Sequence, residues 1–266
     1  MQDSVRILFL GDIVGRPGRK ILENFLPQLK KAYNIDITIA NCENAAGGLG
    51  LTEKVGLELL SFVDILTSGN HIWQKKEAIP FIDGNKRIIR PANFPPGNPG
   101  RGSAILENKK GYKIAILNLQ GRIFMEPIDC PFRTADKEIE ELKKVTPIII
   151  VDFHAEATSE KQALGWYLDG RVSAVIGTHT HVPTADERIL PKGTAYLTDV
   201  GMVGGLDTVI GIKKELAVSR LLTAFPCKFE VGKGRKILSG VYIEVDSKSG
   251  KALNIERITR IEEESG

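Results

Sequence analysis

The sequence predicts a mixed α/β chain folded as one domain over residues 1–266. Apolar strand-like runs alternate with helical patterns early in the chain, while strands alternating apolar and polar residues dominate late. No internal repeat, low-complexity segment or clear linker interrupts that order. Five of the apolar runs also stop at a polar residue of the kind that binds metals or substrates.

Taken in order, Val5–Leu10 reads as a strand that stops at Gly11-Asp12. Pro17 suits the first turn of a helix running to about Ala32. Ile35–Asn41 is a second strand, closing on Cys42-Glu43-Asn44 and the glycine-rich turn 47–50. Thr52 can cap a helix to about Phe62, with Leu57, Leu59 and Leu60 as its apolar face. Val63–Thr67 is a third strand, closing on Gly69-Asn70-His71, and a helix is expected over 74–81. Residues 85–101 carry prolines 91, 95, 96 and 99 with Gly97 and Gly100, and read as a long irregular loop; loops of that length are commonly functional. Segments 103–106 and 112–119 flank Asn108-Lys-Lys-Gly111 as an antiparallel hairpin. A charged helix follows over 135–144, then an apolar strand over 147–153 ending at His154. A helix over 159–168, a strand from Val172 and another over 194–197 complete the middle. A helix over 213–224 precedes strands expected at 228–231, 238–245 and 252–258.

Composition narrows the class. A chain of 266 residues at 42% hydrophobic can bury a large core without disulfides. A net charge of +3 is too mild to argue for a long nucleic-acid partner. Three widely spaced cysteines without a CxxC speak against a disulfide scaffold or a thiolate zinc site. No signal-peptide pattern or membrane span shows, so a cytoplasmic soluble protein is expected. The C-terminal strands and the 85–101 loop offer surfaces for a homo-oligomer.

The ends of the strands carry the chemistry. Asp12, Glu43-Asn44, Asn70-His71, His154, and His179 with His181 each follow an apolar run, and they include all four histidines of the chain. In open α/β sheets the carboxyl ends of strands converge on one crevice. A lone Asp12 would more often be a turn residue, but five such endings in succession are hard to assign to turn chemistry. An oxygen- and nitrogen-rich set without thiolate suits manganese or iron, with zinc a third candidate, better than magnesium or calcium. The set exceeds the needs of one tetrahedral ion. It fits two ions about 3.5–4 Å apart bridged by a carboxylate, and Glu43 is the natural bridge.

Gly11-Asp12, Gly69-Asn70-His71, the strand-end His154 and Gly177-Thr-His179-Thr-His181 resemble, in order, the motifs of the calcineurin-like metallophosphoesterases. That resemblance implies a four-layer αββα sandwich with a two-metal site. The sequence departs from the common pattern twice. The D-x-H opening is Asp12-Ile-Val14, without histidine, and the second aspartate position is Glu43. Glu43-Asn44 together with Gly-Asp-Ile-Val-Gly is similar to the YmdB-like branch, whose members are cyclic-nucleotide phosphodiesterases; Asn44 there replaces the missing histidine. The resemblance implies one metal on Asp12, Glu43, Asn44 and His181, and a second on Glu43, Asn70, His154 and His179. His71 is left without a metal.

The implied reaction is hydrolysis of a small phosphodiester, foremost a 2′,3′-cyclic nucleotide. A metal-bridging hydroxide would attack phosphorus, and His71, as general acid, would protonate the leaving alkoxide. Two rivals share the residues: a phosphomonoesterase or nuclease, and a metal-containing regulatory binding protein with little turnover. Around the site, Arg16 could meet an anion or be a surface residue, and the 47–50 turn could cradle phosphate or merely connect elements. Trp73 could stack on a base or pack in the core. The loop residues Arg90, Asn93 and Arg101 could wall the pocket. Asp199 could orient a histidine or cap a turn. Strand alternation points Cys42 away from Glu43, so it is expected to be buried and inert.

Overall fold

A computed structural model describes residues 3–263. The chain runs β1 (Ser4–Ile13), α1 (Gly15–Ala32), β2 (Ile37–Asn41), α2 (Glu53–Leu60), β3 (Ile65–Thr67) and α3 (Ile79–Gly84). There follow β4 (Ser103–Glu107), β5 (Lys113–Gln120), α4 (Pro131–Lys143), β6 (Ile149–His154), α5 (Thr158–Leu168) and β7 (Ala174–Thr178). The last part holds β8 (Arg188–Ile189), β9 (Ala195–Leu197), β10 (Met202–Gly205), β11 (Thr208–Val209), β12 (Ile212–Lys213), α6 (Lys214–Thr223), β13 (Lys236–Asp246) and β14 (Ala252–Glu262).

Two mixed six-stranded sheets, ordered β14-β13-β10-β1-β2-β3 and β4-β5-β6-β7-β9-β8, lie face to face. The alternation of each strand sorts its side chains between two cores. In β1, Val5, Ile7 and Phe9 point between the sheets, while Leu8 and Leu10 point outward under α1 and α2. In the second sheet, Ile114, Ile116, Ile150 and Ile176 meet the first sheet, whereas Leu117, Val151 and Val175 pack under α4 and α5. The layers are therefore αββα. Helix α1 buries Ile21, Leu22, Leu26 and Leu29 at three- and four-residue spacing, the stripe that fits it to the sheet.

Several local expectations change. The helix expected at 74–81 is a 3₁₀ turn at Lys76–Ala78 followed by the short α3. Thr52 does cap α2, accepting from the Val55 amide, but Leu57 is exposed and the helix buries Val55, Gly56 and Leu59 instead. The segment 228–231 forms only an isolated bridge between Val231 and Ile212. Strands β8, β10, β11 and β12 are too short to leave a period-two signature. The Pro/Gly loop is tied down from within: buried Arg90 donates to the carbonyls of Pro91, Asn98 and Pro99, and Asn93 bonds Gln120.

Candidate metal centre

The site lies where the carboxyl ends of both sheets meet. In β2 the parity that sends Ile37 and Ile39 between the sheets continues through Asn41 to Glu43, and sends Cys42 the other way. Cys42 is buried in the outer core, and burial pushes its thiol up, so it is inert. In β1 the same rule would aim residue 12 outward with Leu8 and Leu10. A bulge between Leu10 and Asp12 resets the register, with Asp12 opposite Asn41, and turns the carboxylate toward the site. Gly11 is required at that bulge because a Cβ there would overlap the Gly201 carbonyl. In β6 and β7, Asp152, His154 and Thr178 continue the inward parity of Ile150 and Ile176. After β7 the chain bends sharply: His179 and His181 sit at φ 102° and 65°. Such backbone in non-glycine residues is rare and concentrates at functional sites.

The residues named from the sequence as metal ligands converge, with His71 beside them. Glu43, His154 and His179 form one group whose ligand atoms lie within 4.8 Å of one another, and Asp12, Glu43 and His181 form a second. Glu43 belongs to both. His154 Nε2 stands 3.1 Å from Glu43 Oε2, 3.0 Å from His179 Nδ1 and 3.2 Å from Asn70 Oδ1. His181 Nε2 is 3.9 Å from Asp12 Oδ1 and 3.1 Å from the Asn44 amide nitrogen. The Asn44 NH₂ also donates to Glu43 Oε1 at 3.0 Å, and Asn44 Oδ1 faces His71 Nδ1 at 3.1 Å. His71 is in neither group. Its backbone N–H donates to Glu43 Oε2, and its Nε2 forms no hydrogen bond among the described residues.

A second ring of partners sets the imidazole tautomers. His181 Nδ1 faces the Ile210 carbonyl at 2.8 Å; a carbonyl only accepts, so the proton sits on Nδ1 and the Nε2 lone pair faces inward. His179 Nε2 lies at an ion-pair distance of 3.1 Å from the Glu156 carboxylate, and its Nδ1 faces the site. His154 Nδ1 meets Thr178 Oγ1 at 2.9 Å, and that hydroxyl donates to Asp152 Oδ1 at 2.7 Å. Outward N–H bonds with inward lone pairs are the pattern of metal-binding histidines. Sequence reading missed Asn41, Asp152, Glu156 and Thr178. For the first three the signal was present, since each lies two residues from Glu43 or His154 on the same face of a strand or its extension.

Asp199 orients no histidine. It accepts from the backbone N–H groups of Thr180 (3.1 Å) and Gly201 (2.8 Å) and pairs at 2.6 Å with buried Lys161, which also donates to the Thr178 carbonyl. This pair clamps the bend that carries His179 and His181. Trp73 packs against Phe94, with ring centroids 4.8 Å apart, beside the outer core.

The electrostatics show a site short of positive charge. Burial raises the Asp12 carboxyl against the pull of His181 and His154. Burial would raise Glu43 too, but His154 and His71 outweigh it and hold that carboxyl well below its usual range. Burial opposes charge on His154, yet Glu43 and Asp12 lift it to about 9. Burial and the neighbouring His154 press His179 down to about 3. Burial lifts Asp152 to about 7. Asp12 Oδ1 is buried without any hydrogen-bond partner. Two dry carboxylates, an orphaned oxygen and three imidazole nitrogens turned inward, with the His154 proton there to be displaced, are a donor set that fits a divalent cation.

An αββα sandwich with this acid–imidazole cluster at the seam of its sheets defines the calcineurin-like metallophosphoesterase class. Within that class the YmdB-like protein family matches over residues 8–258, and the chain belongs to it. It is 54% identical over 255 residues to the 2′,3′-cyclic-nucleotide 2′-phosphodiesterase of Bacillus subtilis, covering 96% of each chain. A crystal structure described as a novel phosphatase from Mycoplasma pneumoniae superposes with a TM-score of 0.93 at 42% identity, covering 99% of this chain and 96% of that one. A hypothetical protein from Thermus thermophilus gives a TM-score of 0.90 at 41% identity, covering 98% and 100%.

Proposed function

We propose that this chain hydrolyses 2′,3′-cyclic nucleotides with two bound cations, manganese or iron before zinc. The observation that carries the reading is Glu43, shared by two donor groups, with the free Nε2 of His71 beside them. Asp12, Glu43, Asn44 and His181 would hold one ion, and Glu43, Asn70, His154 and His179 the other. When bound, the ions supply an activated water and neutralise the phosphoryl oxygens.

The chain's own residues do the rest. Glu156, Thr178 and the Ile210 carbonyl hold each imidazole with one ring nitrogen inward before any ligand arrives. Asn44 presents its NH₂ to the Asp12–Glu43–His181 group. To hold an ion through its oxygen, the amide would make a half-turn that occupies the same space. Its NH₂ would then face His71 Nδ1, while Glu43 Oε1 at 3.3 Å stays an acceptor for the Nδ1 proton, so the proton that His71 donates would be a second one, carried on Nε2. That nitrogen is thereby set to protonate the departing oxygen of the ester, a step of about 10²–10⁴-fold in rate.

Among the described residues no helix is long and apolar enough to cross a membrane. Cys42, Cys130 and Cys227 are free thiols, which supports a reducing cytoplasmic setting.

The test is hydrolysis of 2′,3′-cyclic AMP by manganese-loaded protein, with p-nitrophenyl phosphate as monoester control and His71→Ala as the variant. Turnover of the cyclic diester, little monoester activity and a His71→Ala loss in kcat with ligand affinity kept are expected. Preference for the monoester assigns a phosphatase. No turnover of either by protein holding two metals assigns a binding role.

A further inference from the structure

Beside the metal centre lies a second recess of about 680 Å³, lined by basic residues that the reaction above does not use. Arg16 and Lys20 stand on the first turns of α1, and Lys233 and Lys236 on the segment leading into β13. Lys20 is paired with Glu23, and Lys236 with Glu262. Arg16 and Lys233 are exposed and form no hydrogen bond or close ion pair among the described residues. The one acid in the lining, Glu230, is hydrogen-bonded by Lys213 and feels Lys233 only at longer range. Phe229 adds a half-exposed ring with the Arg220 guanidinium 4.8 Å from its centroid.

The recess is built onto the ligand-bearing loops. Arg16 follows Asp12 by four residues, and the Gly15 N–H donates to the Asn44 carbonyl at 2.9 Å. Val231 lies against Gly15 and the Gly48 turn, where a Cβ on Gly48 would stand 2.8 Å from its methyl. Gly232 donates to the Gly211 carbonyl at 2.9 Å, next to the Ile210 carbonyl that holds His181. The recess therefore opens on the Asp12–Asn44–His181 side of the centre. Its volume suits a nucleotide-sized group.

We infer that this recess binds the nucleotide preceding a terminal 2′,3′-cyclic phosphate, so that short oligoribonucleotides with cyclic ends are bound in preference to the free cyclic mononucleotide. The inference rests on the phosphodiesterase reading above. A mononucleoside cyclic phosphate has a single phosphate, which the metal centre takes, and leaves Arg16 and Lys233 with nothing to meet. A dinucleotide adds one internucleotide phosphate for those two cations and one base for the Phe229 ring.

Two measurements on manganese-loaded protein test it, each on wild type and on Arg16→Glu/Lys233→Glu. The first compares kcat/KM for 2′,3′-cyclic AMP and for ApA ending in a 2′,3′-cyclic phosphate. Wild type should favour the dinucleotide by about tenfold or more, the scale of one charge-assisted contact. The variant should lose that preference and keep mononucleotide turnover within about twofold, a margin well under one such contact. The second is calorimetric affinity for ApA 3′-phosphate, which should weaken by about tenfold in the variant whether or not either ester turns over. Equal kcat/KM for the two esters in wild type, or a variant that slows both alike, overturns the inference, as does unchanged affinity for ApA 3′-phosphate. Failure to hydrolyse either ester sinks the phosphodiesterase reading instead, and the affinity arm still decides the recess.

Discussion

The Lys161–Asp199 pair offers the most demanding test of how the site is held. Both residues are 1% exposed, and the lysine lies 2.6 Å from the carboxylate and donates to the Thr178 carbonyl. Lys161→Met keeps the length and apolar stem but removes the charge, leaving Asp199 buried with only the Thr180 and Gly201 amides to satisfy it. Breaking one half of a buried pair costs roughly 3–5 kcal/mol. At an unfolding entropy of about 2.1 cal/mol/K per residue, that is a fall in Tm of roughly 5–9 °C for a chain of this length. Thermal melts of EDTA-treated protein would measure it. Lys161→Met/Asp199→Asn should recover most of the loss, because no uncompensated charge remains, yet should still bind metal weakly because the bend at His179 and His181 has lost its anchor. A melt for Lys161→Met within 1 °C of wild type, the reading of a solvated pair worth about nothing, would refute the argument.

Gly69→Ala would drive a methyl into the His154 ring and Glu43 Oε2; metal content by mass spectrometry should fall while circular dichroism stays native. Glu156→Ala frees His179 Nε2 and should weaken metal affinity by about 10–100-fold by calorimetry, the usual cost of losing a histidine's outer partner. Asp186 is partly buried, which would raise its carboxyl, but hydrogen bonds from Thr198 and Thr184 outweigh that and hold it lower than usual. Its stabilisation is therefore complete above the ordinary aspartate value near pH 3.8 and lost as pH falls through the depressed one. Because the group is only partly buried and solvent screens it, the gain is under about 1 kcal/mol. Asp186→Asn should flatten acid unfolding below pH 4 by that amount, and an identical acid limb would contradict the assignment.

The β-strand ends could be read because their chemistry interrupts apolar runs, and histidine is scarce enough here that its placement is informative. What sequence could not show is where a strand slips. Asp12 has the wrong parity for the site until the bulge at Gly11 corrects it, and nothing in the apolar pattern of β1 announces that shift. Lys161 shares a helical face with Leu164 and Leu168, so a charge inside an apolar stripe was visible, but its partner lies 38 residues on. The Ile210 carbonyl left no trace at all, because a backbone oxygen has no residue type. Its contact with His181 exists only through the tight turn between β11 and β12, where Ile210 and Gly211 both take positive φ.

The oxygen donors nominated for the ions, Asp12, Glu43, Asn44 and Asn70, all follow strands of the first sheet, and the nitrogen donors, His154, His179 and His181, all follow strands of the second. Neither sheet alone spells the mixed coordination chemistry. The ends of the first sheet would offer a hard, oxygen-only site suited to magnesium or calcium, and those of the second a cluster of imidazoles. On the proposed ligand set, a preference for a transition metal would be a property of the docked sandwich. Because β10, β13 and β14 return from the far end of the chain to complete the first sheet, the site closes only when the whole chain is folded and the two sheets dock to within about half an ångström.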